Sequence, residues 1–191
     1  MSSVEPKRSG PYMLTYTGRR FWPTDPHPDD ICLVDIAHSL AVQNRFCGHT
    51  REPYSVAQHC VLASDLVTID MALEALFHDA SEAYIVDIPR PLKYSPGMEG
   101  YKPIEAKVQR VICDKYGLPF PLHEEIKMVD NLLGHAEMRD LMPTHHIKER
   151  QWFAGTPAAG LLDTVPTVVP WPWRYAKDAW IGRYRELTRG T

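Results

Sequence analysis

Three stretches of the chain carry ionisable groups inside otherwise apolar text: YSVAQHC (residues 54–60), ALFHDASEAYIVDIPRPLK (75–93) and VDNLL (129–133). They supply His59, the pair His78–Asp79, and Asp130. Two imidazoles and two carboxylates make a shell for a borderline divalent ion that keeps positions open for water and substrate. Such an ion lowers the pKa of a coordinated water and polarises a phosphoryl oxygen. Neighbours on a helix differ by about 100°, so His78 and Asp79 converge on one point only from a helix end or edge. Glu82 stands i+3 from Asp79 and i+4 from His78, which sets its carboxylate on their face to hold or deprotonate an attacking water. Asp87, beyond that helix, is placed to protonate or steer a leaving group. Arg45, with Lys93 as the weaker candidate, can offset phosphate charge; a guanidinium clamps an oxyanion with two bonds where an ammonium gives a point charge. On spacing alone, the competing explanation is a satisfied network of polar helix ends.

These residues need helices to hold them. Residues 31–46 show apolar positions at helical spacing, with a helix starting near Asp35 and CGHTREP ending it. Ser55 followed by Gln58 is a capping-box pattern, so a second helix starts at Ser55 and places His59 in its first two turns. Asp70 is positioned to cap a third segment, 71–84, with Ala72, Leu73, Leu76 and Phe77 as its apolar stripe. A helix over about 104–116 should end at Gly117, and a long amphipathic one should run from about Glu124 until Pro143 stops it. The tail from His145 to Trp173 is proline-rich and expected to wrap the surface, pinned by Trp171 and Trp173. A short last helix spans about Lys177 to Leu187. With no repeats and no strand series, the chain reads as all-α with a Pro/Trp-rich C-terminal tail.

The totals are those of a globular protein: 191 residues, 44% apolar and 24% charged. That length suits one domain, here 12–191, after a flexible leader at 1–11. A formal net charge of −3 argues against a broad nucleic-acid footprint. Cys32, Cys47, Cys60 and Cys113 form no CxxC pair, and no apolar run approaches membrane-spanning length. Free thiols in a reducing cytoplasm are the expectation.

In order, YSVAQHC, ALFHDASEAY and VDNLL resemble the H…HD…D signature of the HD-domain phosphohydrolases. HDASEAYIVDIPRPLK, and the NRF that precedes the first histidine, are most similar to the 5'-deoxynucleotidase-like branch. The resemblance covers about 35–141, with a wrapping tail over 142–191, and implies an HD-type helical bundle. By it, His59, His78, Asp79 and Asp130 bind the metal, Glu82 and Asp87 are the catalytic carboxylates, and Arg45 contacts substrate phosphate. TGRRFWPTDP before DIAHSL, and RDLMP, are similar to bacterial and phage HD hydrolases, including phage enzymes that strip triphosphate from dATP. The implied cofactor is a divalent transition metal (Zn, Co or Mn), with Mg as a candidate for a second site. The implied substrate is a small deoxynucleotide, either a monophosphate or a triphosphate, handled by a homo-oligomer with no membrane and no stable nucleic-acid complex.

Other residues carry weaker expectations. Phe46, abutting Arg45, is a candidate for stacking on a base, as are Trp22 and Trp152. His49 either touches phosphate or stabilises its loop. Arg19 and Arg20 either line the site's mouth or pair with the acidic DPHPDD stretch. His38 is expected at the core edge, bonded to backbone, and His145–His146 are expected to be solvated. Glu137, i+7 from Asp130, is either a carboxylate behind the metal ligands or one arm of an interhelix ion pair. The rival functions are another HD enzyme, such as a cyclic-nucleotide phosphodiesterase or an alarmone hydrolase, and a non-catalytic scaffold.

Overall fold

The computed structural model describes residue 8 and residues 10–143 and 160–189. His145, His146 and Trp152 lie outside the described residues. The fold is all-α, apart from a hairpin of two-residue strands, β1 (Met13–Leu14) and β2 (Arg20–Phe21), paired antiparallel with Met13 opposite Phe21. The helices are α1 (Leu33–Val42), α2 (Val56–Asp65), α3 (Ala72–Phe77), α4 (Glu82–Ile85), α5 (Arg90–Lys93), α6 (Tyr101–Tyr116), α7 (Glu124–Leu141) and α8 (Trp173–Leu187).

Local chemistry accounts for most boundaries. Ser55 accepts a hydrogen bond from the Gln58 N–H and caps α2. The reciprocal half of the expected capping box is absent, because the Gln58 side chain is used elsewhere. Its amide donates to the Val169 carbonyl and its oxygen accepts from the Trp171 N–H, fastening the incoming tail to α2. Gly117 ends α6 in the left-handed conformation at φ 67°, which glycine adopts at no steric cost. Asp70 does not cap α3: the cap position is Met71, with no side-chain bond.

Residues 71–84 form two short helices rather than one. The break after Phe77 is held by Gln109 of α6, which donates to the Phe77 carbonyl and accepts from the Ser81 N–H. Those are the groups that a continuous helix would have satisfied internally, so the break leaves neither orphaned.

The main core joins α1, α2, α3, α4, α6 and α8 through Ile36, Leu40, Val56, Val61, Leu76, Phe77, Tyr84, Val108, Ile112 and Trp180. The last helix begins at Trp173 rather than near Lys177, and it is structural rather than superficial: Trp180 is fully buried, its ring 5.0 Å from that of Phe77. A second cluster of Tyr54, Ala63, Leu133, Ala136, Leu141, Val165 and Val168 clamps α7 against α2. His38 stacks on Tyr16 with centroids 3.7 Å apart and its Nδ1 makes no hydrogen bond, so the expected backbone partner is missing. All four cysteines are free, and no described helix is long and apolar enough to cross a membrane.

Candidate metal centre

The residues read from sequence as a metal shell meet. One ligand atom from each of His59, His78, Asp79 and Asp130 lies within 4.8 Å of all the others. His59 projects from the first turns of α2. His78 and Asp79 occupy the break after α3, where two adjacent side chains can aim at one point. Asp130 comes from α7. His59 Nε2 stands 3.1 Å from His78 Nε2, 3.1 Å from Asp130 Oδ1 and 3.6 Å from Asp79 Oδ2. His78 Nε2 is 3.1 Å from Asp79 Oδ2.

The opposite edge of each imidazole determines what this cluster can hold. His59 Nδ1 lies 2.5 Å from Glu137 Oε1, and His78 Nδ1 lies 2.7 Å from the Ala75 carbonyl. Both partners only accept, so the hydrogen-bond network assigns a proton to each Nδ1 and leaves Nε2 of the neutral rings as a lone pair. Two such lone pairs and two carboxylate oxygens then face one another, a set that repels itself until positive charge enters. Without an ion that charge is protons. Burial would lower both histidines; for His59 the Glu137 charge, its bond to Glu137 and the neighbouring Asp130 carboxylate outweigh it, and for His78 the nearby carboxylates of Asp79 and Asp130 hold it well above its usual range. The same contacts hold Asp79 and Asp130 below theirs, against burial. The donor set of two imidazoles and two carboxylates, backed by a carboxylate and a carbonyl on the far ring nitrogens, fits a borderline divalent cation.

Glu137 is thus the carboxylate behind His59 and, at the same time, one arm of a buried ion pair with Arg45. It is fully buried and also accepts from Tyr54 Oη (2.7 Å) and Arg45 Nε (3.0 Å). Arg45 reaches on to Asp79 Oδ2 at 3.4 Å.

A cavity of about 470 Å³ opens beside the cluster, its lining including Arg45, Phe46, Asp79, Glu82, Asp87, Arg90, Lys93, Asp130, His135, Met138 and Met142. Glu82 is buried, with Oε2 unpaired. Desolvation, then repulsion from Asp79 and Asp87, pushes its carboxyl well above the usual range. Desolvation likewise raises Asp87. The backbone here is strained at three non-glycine positions: Phe46 (φ 53°), Cys47 (φ 52°) and Val86 (φ 69°).

Four of the candidate residues stand away from the cavity. Arg19 donates to the Asp29 carbonyl and Arg20 lies over the Tyr12 ring, so neither lines the cavity. His49 is exposed and also stands off it. Trp22 packs with Tyr12 and Arg8 rather than at the site. Lys93 does reach the cavity but is tied to Glu105 Oε1 at 2.5 Å. Sequence reasoning missed Arg90, which donates to Asp130 Oδ2 at 3.0 Å. Its only signal was a basic residue between two prolines, and nothing in the spacing linked it to a helix 40 residues on.

Fold and cluster together define an all-α protein with a His₂Asp₂ candidate cation site. The chain belongs to the family of the uncharacterized protein YfdR of Escherichia coli: the two are 45% identical over 130 residues, spanning 68% of this chain and 72% of that protein. It is also similar to protein RCAP_rcc00048 of Rhodobacter capsulatus, at 33% identity over 148 residues (71% of this chain, 74% of that one). A 5'-deoxynucleotidase of Vibrio cholerae is 34% identical over 95 residues, covering 48% of this chain and 40% of that enzyme. No family model matches the chain.

Proposed function

We propose that this protein is a metal-dependent phosphohydrolase that cleaves the phosphoester of a deoxynucleotide. The observation that carries this reading is the convergence of four lone-pair atoms, two of them imidazole nitrogens whose tautomers are assigned by Glu137 and the Ala75 carbonyl. The partial likeness to a 5'-deoxynucleotidase supports the substrate class. His59, His78, Asp79 and Asp130 would hold a Zn, Co or Mn ion, and a bound divalent cation supplies Lewis-acid polarisation of a phosphoryl oxygen and activation of water. Glu82, with its raised affinity for protons and an unpaired oxygen, takes the proton of the attacking water. Asp87 returns a proton to the departing sugar oxygen. Arg45 and Arg90 take up negative charge on the phosphoryl oxygens. Phe46, Met138 and Met142 offer apolar faces to the base. The reading includes a cytoplasmic homo-oligomer that controls a nucleotide pool without a stable nucleic-acid complex.

Charge favours a monophosphate over a triphosphate. The cavity wall carries Arg45, Arg90 and Lys93 against Asp79, Glu82, Asp87 and Asp130, and Arg19 and Arg20 stand away from it. Among the described residues, a triphosphate tail would meet three cationic side chains there against four carboxylates.

The test is to incubate the protein with each dNMP and dNTP, cyclic nucleotides and guanosine alarmones, plus Mn or Co, and weigh the products. Orthophosphate from dNMPs is the expected result. Tripolyphosphate from a dNTP would transfer the reading to triphosphohydrolysis. No product from any substrate, with metal demonstrably bound, would refute it in favour of a scaffold.

A further inference from the structure

Two carboxylates flank a backbone distortion that the proposed reaction must keep in place. Val86 lies at φ 69° and ψ 150°, a region that a β-branched residue avoids because its Cβ crowds its own backbone. It stands between Glu82 and Asp87. The side chain that bonds the chain on both sides of it is Gln43, the residue that caps α1. The Gln43 amide donates to the Glu82 carbonyl at 3.0 Å, and Gln43 Oε1 accepts the Asp87 N–H at 3.2 Å. Gln43 thus grips the chain on both sides of the kink. It is itself fixed at both backbone ends: its N–H donates to the Ser39 carbonyl ending α1, and its carbonyl accepts the Val56 N–H opening α2. Its amide also donates to Ser39 Oγ, which in turn donates to the Ala83 carbonyl. From the far side, the Tyr101 hydroxyl donates to the Val86 carbonyl at 2.9 Å.

We infer that Gln43 is a positioning residue for Glu82 and Asp87: it maintains the left-handed Val86 that turns Asp87 back toward the cavity containing Glu82. The inference rests on the proposed roles of those two carboxylates. Without the clamp, Val86 relaxes to negative φ and Asp87 swings out, leaving the metal ligands and Arg45 undisturbed. Gln43 touches no reacting atom, so its effect falls on turnover rather than on substrate affinity.

The test pairs Gln43→Leu with the double variant Gln43→Leu/Val86→Gly, using the full chain loaded with Mn. A displacement of about 1 Å costs on the order of 10²-fold in rate. Gln43→Leu should therefore lose about that much kcat with KM nearly unchanged. Glycine adopts φ 69° without penalty, so the added Val86→Gly should restore most of the lost kcat even though it loosens the chain. If Gln43 is only a structural prop, Val86→Gly will deepen the loss; that result, or an unaltered kcat in Gln43→Leu, overturns the inference. Amide exchange at Asp87 separates this inference from the functional reading. Protection in the wild type that disappears in Gln43→Leu supports the clamp even if no nucleotide is hydrolysed. Exchange that does not respond to the substitution counts against the clamp whatever the activity.

Discussion

Glu137→Gln isolates the support behind the ligand cluster. In the wild type the buried carboxylate accepts from three donors: His59 Nδ1 at 2.5 Å and Tyr54 Oη at 2.7 Å, both on Oε1, and Arg45 Nε at 3.0 Å on Oε2. A glutamine keeps one oxygen, which can serve His59 and Tyr54. Its NH₂ then meets the Arg45 N–H, donor against donor. The Arg45 side chain is 13% exposed and retains only the 3.4 Å contact with Asp79 as a carboxylate partner. Removing one partner from a buried ion pair costs about 3–5 kcal/mol; the surviving Asp79 contact and the open cavity place the expected loss near the lower figure. For a chain of this size that is a fall in Tm of about 6–12 °C. Loss of a carboxylate behind a ligating histidine weakens metal binding by about 10–100-fold, or about 1.4–2.7 kcal/mol. Competition with a fluorescent chelator for Mn or Co measures that affinity. Tyr54→Phe, which deletes one bond and leaves the charge, should cost less than about tenfold. If folded Glu137→Gln binds metal as tightly as the wild type, or Tyr54→Phe weakens binding equally, the support assigned to Glu137 is refuted.

Two further outcomes follow from the same structure. Asp79→Ala should abolish metal retention and hydrolysis together, whereas Glu82→Ala should keep the ion and lose about 10²–10⁴ in rate; full activity in Glu82→Ala removes that residue from the mechanism. Away from the site, Glu74 holds His123 by accepting both its backbone N–H and its Nδ1–H, and that bond and the Glu74 charge raise the His123 pKa. A folded pKa above the unfolded value of about 6.5 means the pair's contribution is whole below that pH and disappears as pH rises through the folded value. Denaturation midpoints should therefore fall across that window in the wild type and flatten in Glu74→Gln, with an NMR titration of His123 locating it; the same slope in both proteins would exclude the pair.

The convergent His/Asp cluster was legible because its residue types are unusual for their surroundings. His59, His78, Asp79 and Asp130 interrupt apolar helical text, and only a shared ligand or a dense polar network explains such interruptions. Helix starts and stops with their own local chemistry, Ser55 and Gly117, were legible for the same reason. The break after Phe77 was not, because the groups that satisfy it belong to Gln109, 32 and 28 residues away from Phe77 and Ser81.

Taken alone, the sequence determined the helical class, singled out the four residues that converge, and required that His78 and Asp79 sit at a helix end if they share one point, since periodicity and residue chemistry are local properties. Only the tertiary structure decided that Glu137 backs His59 rather than pairing on the surface, that Arg90 rather than Arg19 reaches the cluster, and that α8 is core rather than wrapping. Each of those depends on which faces of distant helices meet, and that is decided by packing summed over the whole chain rather than by the identity of any one stretch.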